Sequence, residues 1–197
     1  MQKLLMLIIT ATMLAGCAKK QAEADPQPTE PVMKPSDSGE PMSEEVHFEA
    51  AGMTLYGTIT RPSGAGPFPA IAVAAGSGPT DRDWLNPLIP GPQGSGKLLA
   101  EALSGGGVVV LRYDKRGTGK TGMPPTPIVW GDYVAELNAA TAMLAKQDYV
   151  DPARIFVAGH SEGGAHALRA AAQPATPLAG VILLSTAGRS LRNIVIW

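Results

Sequence analysis

The stretch that most constrains this chain is residues 154–164, Arg-Ile-Phe-Val-Ala-Gly-His-Ser-Glu-Gly-Gly. A strand-favouring apolar run, Ile155-Phe156-Val157, leads into Gly159-x-Ser161-x-Gly163, and a helix-forming run from Ala165 to Ala172 follows at once. Strand, sharp turn and helix in so short a space bring the residues two before and two after the serine close together. Glycine at both positions removes the Cβ atoms that would collide there. A turn of this kind, a nucleophile elbow, lifts a serine oxygen clear of a sheet and points the next backbone amide at a developing oxyanion. The helix that follows adds positive potential at its N-terminus. Ser161 is therefore the expected nucleophile, and the amide of Glu162 an expected oxyanion donor.

A serine hydroxyl is a poor nucleophile until a base removes its proton. After Ser161 the chain has no Asp, and its single later histidine is His166. His166 lies five residues on, about 7.5 Å along a helix axis, and is expected to pack on that helix or meet solvent. His160 neighbours Ser161 but should point the other way out of a tight turn. His47 falls in an early hairpin, at the far edge of the sheet. None of the three is expected to serve as the base.

The remaining pattern supplies the setting. Glu45 to Ala50 and Thr54 to Thr60 read as two strands paired antiparallel around Gly52, and Ala70 to Ala75 as a strand after Pro69. Ser95 to Leu103 reads as a helix with Ser95 as its N-cap and with Leu98, Leu99, Ala102 and Leu103 on one face. Gly105-Gly106-Gly107 ends it. Val108 to Arg112 has the continuous apolar character of a buried parallel strand. Residues 132–146 form a second helix, with Val134, Leu137, Thr141 and Leu144 at helical spacing. Asp151-Pro152 turns the chain into the Ile155 strand, and Val181 to Leu184 is another strand. Strands alternating with helices predict an α/β domain: a mostly parallel sheet with helices on both faces.

Two glycine runs look like nucleotide-binding loops and fail on detail. Gly91 to Leu98 nearly fits a phosphate-binding loop, but Leu98 stands where a hydroxyl should meet magnesium, and no strand precedes it. Gly117-Thr-Gly119-Lys-Thr-Gly122 follows a strand, but Met123-Pro124-Pro125 prevents the helix that must receive a pyrophosphate. No nucleotide and no cofactor is expected. A formal net charge of −1 and the lack of a basic face argue against a nucleic-acid partner. Nothing in the sequence resembles a metal-ligand cluster, and a single cysteine excludes an internal disulfide.

The N-terminus reads as a targeting segment. Lys3 precedes an apolar stretch from Leu4 to Leu14, of signal-peptide length, and then comes Leu14-Ala15-Gly16-Cys17. This resembles the lipobox of bacterial lipoproteins. The resemblance implies cleavage of residues 1–16, lipidation of Cys17 and anchoring in a bacterial envelope. Ala18 in place of Asp resembles outer-membrane sorting in a double-membraned cell. Residues 17–43, rich in Pro, Glu, Lys, Ser and Gln, cannot bury enough surface to fold and read as a flexible tether. The folded domain is expected over 44–197.

The elbow, the strand–helix alternation and two further segments together resemble the α/β-hydrolase superfamily. Ala75-Gly76-Ser77-Gly78-Pro79-Thr80-Asp81-Arg82-Asp83 resembles the oxyanion loop of small bacterial esterases of that fold. Arg112 to Thr121 resembles their D-x-R-G-x-G segment, and Asp151 to Gly164 the elbow of the dienelactone-hydrolase and serine-aminopeptidase branches. The resemblance implies that the Ser77 backbone amide is the second oxyanion donor, opposite that of Glu162. Many relatives carry His-Gly where this chain has Ala75-Gly76. The charged clusters Asp81-Arg82-Asp83 and Asp114-Lys115-Arg116 either brace this loop or lie solvated.

In this superfamily the triad runs Ser, then Asp or Glu, then His. The resemblance places the last two after strands that these residues do not include. The chain thus reads as the N-terminal part of a longer α/β-hydrolase, ending after the strand that follows the elbow helix, with little turnover expected of it alone. Three functions are compatible with this: a lipid-anchored serine esterase acting on small acyl esters, a serine aminopeptidase or prolyl peptidase of the same fold, and a non-catalytic lipoprotein remnant.

Overall fold

The computed structural model describes residues 39–189; the signal-peptide and lipobox reading at Cys17 lies outside them. Six strands form one sheet: β1 (Met42–Ala50), β2 (Met53–Arg61), β3 (Phe68–Ala74), β4 (Val109–Tyr113), β5 (Val150–His160) and β6 (Gly180–Leu184). Their order across the sheet is β1-β2-β4-β3-β5-β6. The expected hairpin is present: β1 pairs antiparallel with β2, and β2 pairs antiparallel with β4. From β4 through β3 and β5 to β6 every pairing is parallel. This is the mostly parallel sheet the sequence predicts.

Alternation along the strands builds two cores. Ala70, Ala72 and Ala74 of β3, Val109, Leu111 and Tyr113 of β4, and Ile155 and Val157 of β5 pack with Leu137, Ala140 and Leu144 of α2 (Trp130–Leu144) and with Ala167 and Ala170 of α3 (Glu162–Ala172). The intervening residues, Ile71, Val73, Val110 and Ala158, pack with Ala100 of α1 (Ser95–Gly105). The period of two thus sends half of each central strand to either face, and helices cover both. Complete burial of Leu111, Leu137, Leu144 and Ile155 contributes about 2 kcal/mol each.

Two local expectations are refined. The N-cap of α1 is Gly94, with φ of 107°, and Ser95 is the first helical residue; it makes no side-chain cap. Gly94 supplies a left-handed conformation that serine does not adopt readily. At Asp151-Pro152 the chain does turn, but inside β5. The pairing skips from Val150 to Ile155, so residues 151–154 bulge from the ladder.

Candidate active site

Because β4, β3 and β5 run parallel, their C-terminal ends lie on one edge of the sheet, where α/β proteins place ligands. Three segments meet there: Asp114-Lys115-Arg116 after β4, the loop from Ala75 after β3, and Ser161 after β5. The β3 loop lies between the other two, as β3 lies between β4 and β5.

Ser161 occupies the single position between strand β5 and helix α3, with φ of 53° and ψ of −118°. That conformation costs a non-glycine residue on the order of 1–3 kcal/mol. The turn is fastened by the Ser161 amide donating to the Leu184 carbonyl at 2.9 Å and by the Gly164 amide donating to the Ser161 carbonyl at 3.1 Å. Closeness of the chain explains the flanking glycines: a Cβ on Gly159 would overlap the Gly163 carbonyl, and one on Gly163 would reach 2.5 Å from the Ala74 carbonyl oxygen. β3 therefore abuts the turn directly.

Among the described residues, neither the Ser77 nor the Glu162 amide donates a hydrogen bond to another protein group, and the Ser161 hydroxyl has no partner. Ser77, Ser161 and Glu162 share a cavity of about 420 Å³ whose other walls include Trp130, Ala165 and Thr186. A smaller cavity of about 220 Å³ also touches Ser77 and Ser161 and is walled by Thr80, Trp84 and His160.

The charged clusters flanking the β3 loop are paired, not solvated. Arg82 bonds the Asp114 carboxylate at 2.8 Å through its guanidinium and at 2.9 Å through its backbone amide. The same guanidinium reaches Glu45 and Thr58. Burial alone would raise the Asp114 carboxyl; the Arg82 hydrogen bonds and charge, with the Lys120 amide, outweigh it and hold the group below its usual range. Arg112 pairs with Asp83, and Arg116 with Glu136 at 2.6 Å and Asp132 at 2.5 Å. Four amides of the Gly117 to Gly122 loop are engaged within the fold: that of Lys120 donates to Asp114, that of Gly117 to the Gly122 carbonyl, that of Thr118 to the Lys115 carbonyl and that of Gly122 to the Thr118 carbonyl.

Lys115, only 6% exposed, donates through its ammonium to the Gly76 carbonyl. Burial lowers its pKa, against the pull of Glu162 and Glu136. Nothing in the sequence distinguished this lysine from its charged neighbours.

All three histidines are accounted for. His47 lies on the edge strand β1 beside Tyr56. His160 stacks on Trp84, ring centres 4.7 Å apart. His166 is buried between Trp130 and Tyr133, at 4.2 and 4.9 Å, and its Nδ1 has no partner. Burial, with Lys115 nearby, lowers its pKa to about 4, so its ring is neutral at pH 7. None of them hydrogen-bonds Ser161. The described residues hold no cluster of His, Cys, Asp and Glu suited to a metal ion.

Comparison with known proteins gives this geometry a context. A family model described as "Serine aminopeptidase, S33" matches residues 94–195. Esterase EstD of Thermotoga maritima is 33% identical over 151 residues, covering 75% of this chain and 35% of the esterase. An uncharacterised protein of Mycobacterium tuberculosis is 33% identical over 154 residues, covering 71% of this chain and 52% of its own. The chain thus spans between about a third and a half of the length of these relatives. Among solved structures, the alpha/beta hydrolase GrgF of a Penicillium species superposes with a TM-score of 0.61 at 24% identity, over 74% of this chain and 46% of that one.

Proposed function

The chain belongs to the serine aminopeptidase, S33 family and has an α/β-hydrolase fold; from that premise we propose that it hydrolyses carboxylic esters through an acyl-enzyme formed on Ser161. In this reading Ser161 Oγ attacks the acyl carbon of a small ester. The backbone amides of Ser77 and Glu162 receive the negative charge on the former carbonyl oxygen. The alcohol leaves with a proton, and water then releases the acid and restores the serine. The observation that carries the proposal is a serine held at φ of 53° at the mouth of a cavity it shares with two undonated amides. The ester preference rests on the 33% identity to an esterase.

The proton relay requires a histidine and an acid that the described residues do not place beside Ser161, so the 197 residues alone are expected to turn over slowly. The residual rate would come from the oxyanion donors and binding. The test is hydrolysis of p-nitrophenyl acetate and butyrate by the natural gene product. Ser161→Ala should lower kcat by a factor of about 10³ or more; unchanged hydrolysis would remove Ser161 as nucleophile. The family description favours a second reading, cleavage of peptide bonds. Amide cleavage needs a protonated leaving nitrogen, and faster turnover of amino-acyl or prolyl nitroanilides than of simple esters would select it.

The proposal extends to location. Cleavage before Cys17 and its lipidation would tether the domain to a bacterial envelope membrane through the residues that precede β1, which begins at Met42 rather than at the expected boundary of 44 because Met42 and Ser43 pair with Arg61 and Thr60 of β2. The support is the Leu14-Ala15-Gly16-Cys17 sequence and the polar composition that follows it.

A further inference from the structure

We propose that Lys115 is a positioning residue that sets the oxyanion hole: by holding the Gly76 carbonyl, it fixes the Gly76–Ser77 peptide with its N–H turned toward Ser161. This rests on the reading of Ser161 as nucleophile and deepens it by naming what orients one of its two donors.

The constraint acts through the peptide unit. Its six atoms are planar and, in the trans form, its C=O and N–H point in opposite directions. Fixing one therefore fixes the other. The Gly76 carbonyl accepts from the ammonium of Lys115, a residue that follows β4 and whose side chain reaches the loop after β3. The N–H of that same peptide belongs to Ser77, which donates it to no protein group among the described residues and which lines a cavity together with Ser161. A loop peptide without a side-chain neighbour to hold it can rotate between two orientations. Reversed, this one would present a carbonyl oxygen to the developing oxyanion and repel it.

The surroundings suit such a role. Lys115 is 6% exposed, so its contact with the carbonyl is shielded from water and strengthened by the low local dielectric. A charged donor bonds a carbonyl more strongly than a neutral one. The ammonium also lies 5.8 Å from the centre of the Tyr133 ring, which favours a cation at that place. The next residue of the loop is fastened separately: the Thr80 hydroxyl donates to the Ser77 carbonyl at 2.8 Å. Both peptides flanking the Ser77 Cα are thus held through their carbonyls, and the Ser77 N–H remains free.

The test uses the natural gene product and its Lys115→Met, Lys115→Arg and Ser161→Ala variants, each checked for cooperative unfolding. Methionine keeps much of the length and none of the donation. Lys115→Met is expected to lower kcat for p-nitrophenyl acetate by between about ten- and a hundredfold, less than the loss of a whole oxyanion donor, with KM changed by less than about twofold. Lys115→Arg, which retains a charged donor, should recover much of the loss. A crystal structure of Lys115→Met should show the Gly76–Ser77 peptide rotated, and this decides the case even at negligible turnover. An unmoved peptide, or an unchanged kcat in an active protein, overturns the assignment. Should Lys115→Met fail to fold, a Lys115→Arg structure with the Gly76 carbonyl released and kcat unchanged overturns it equally. The nucleophile reading fails by a different result, Ser161→Ala hydrolysing as fast as the parent.

Discussion

At the scale of single residues, the site combines strain with crowding. Ser161 holds φ of 53°, and glycine can occupy that region without the Cβ cost. Relief of about 1–3 kcal/mol of strain, less the roughly 0.4–1 kcal/mol that glycine adds to unfolded-chain entropy, leaves a net gain. Ser161→Gly is thus expected to stabilise the domain by about 1 kcal/mol in urea unfolding while removing activity. A destabilised variant would contradict the strained-turn account. Sequence alone made this turn legible because Gly159 and Gly163 bracket the serine and their absent side chains have one steric purpose. Lys115 was not legible. A lysine between Asp114 and Arg116 reads as surface charge until the fold shows it buried against the Gly76 carbonyl.

At the scale of elements, the loop after β3 owes its shape to β4. Asp114 anchors it through both the side chain and the backbone of Arg82, each partner largely buried. Asp114→Ala would leave Arg82 buried with only Glu45 and Thr58, at a cost of about 3 kcal/mol, measurable as a lower urea midpoint. Helix α3 makes the stability of the domain depend on pH. His166 titrates near 6.5 when unfolded and near 4 when folded, because it is buried. Between those values the unfolded chain binds the extra proton, so stability is complete above pH 6.5 and declines as pH falls toward 4. The loss from pH 7 to pH 5 amounts to roughly 2 kcal/mol. Glu136, whose carboxyl burial raises, acts with the opposite sign, so the readout is a difference: His166→Phe should flatten the decline seen in the parent. Each strand and helix of the described residues overlaps a run that period and punctuation mark in the sequence, although β1, β5 and α3 begin three to five residues earlier than those marks place them. The bulge at residues 151–154 and the burial of His166 were not legible there, because both depend on neighbours brought from elsewhere in the fold, β3 for the first and α2 for the second.

At the scale of the whole molecule, the described domain supplies one edge of a sheet carrying a serine, two amides and the side chains that hold them. The chain spans 35% of the esterase's length and 52% of the mycobacterial protein's. If its N-terminus is lipidated as proposed, Cys17→Ser should move the protein from the membrane to the soluble fraction of its cell. Mass spectrometry identifies the nucleophile without recourse to kinetics. Cleavage after Arg154 and Arg169 yields a peptide, residues 155–169, in which Ser161 is the only hydroxyl-bearing residue. Treatment of the folded gene product with a fluorophosphonate should place one phosphonyl group on that peptide, and heat-denatured protein should carry none. A folded, ester-hydrolysing protein whose label sits on any other peptide would contradict the account.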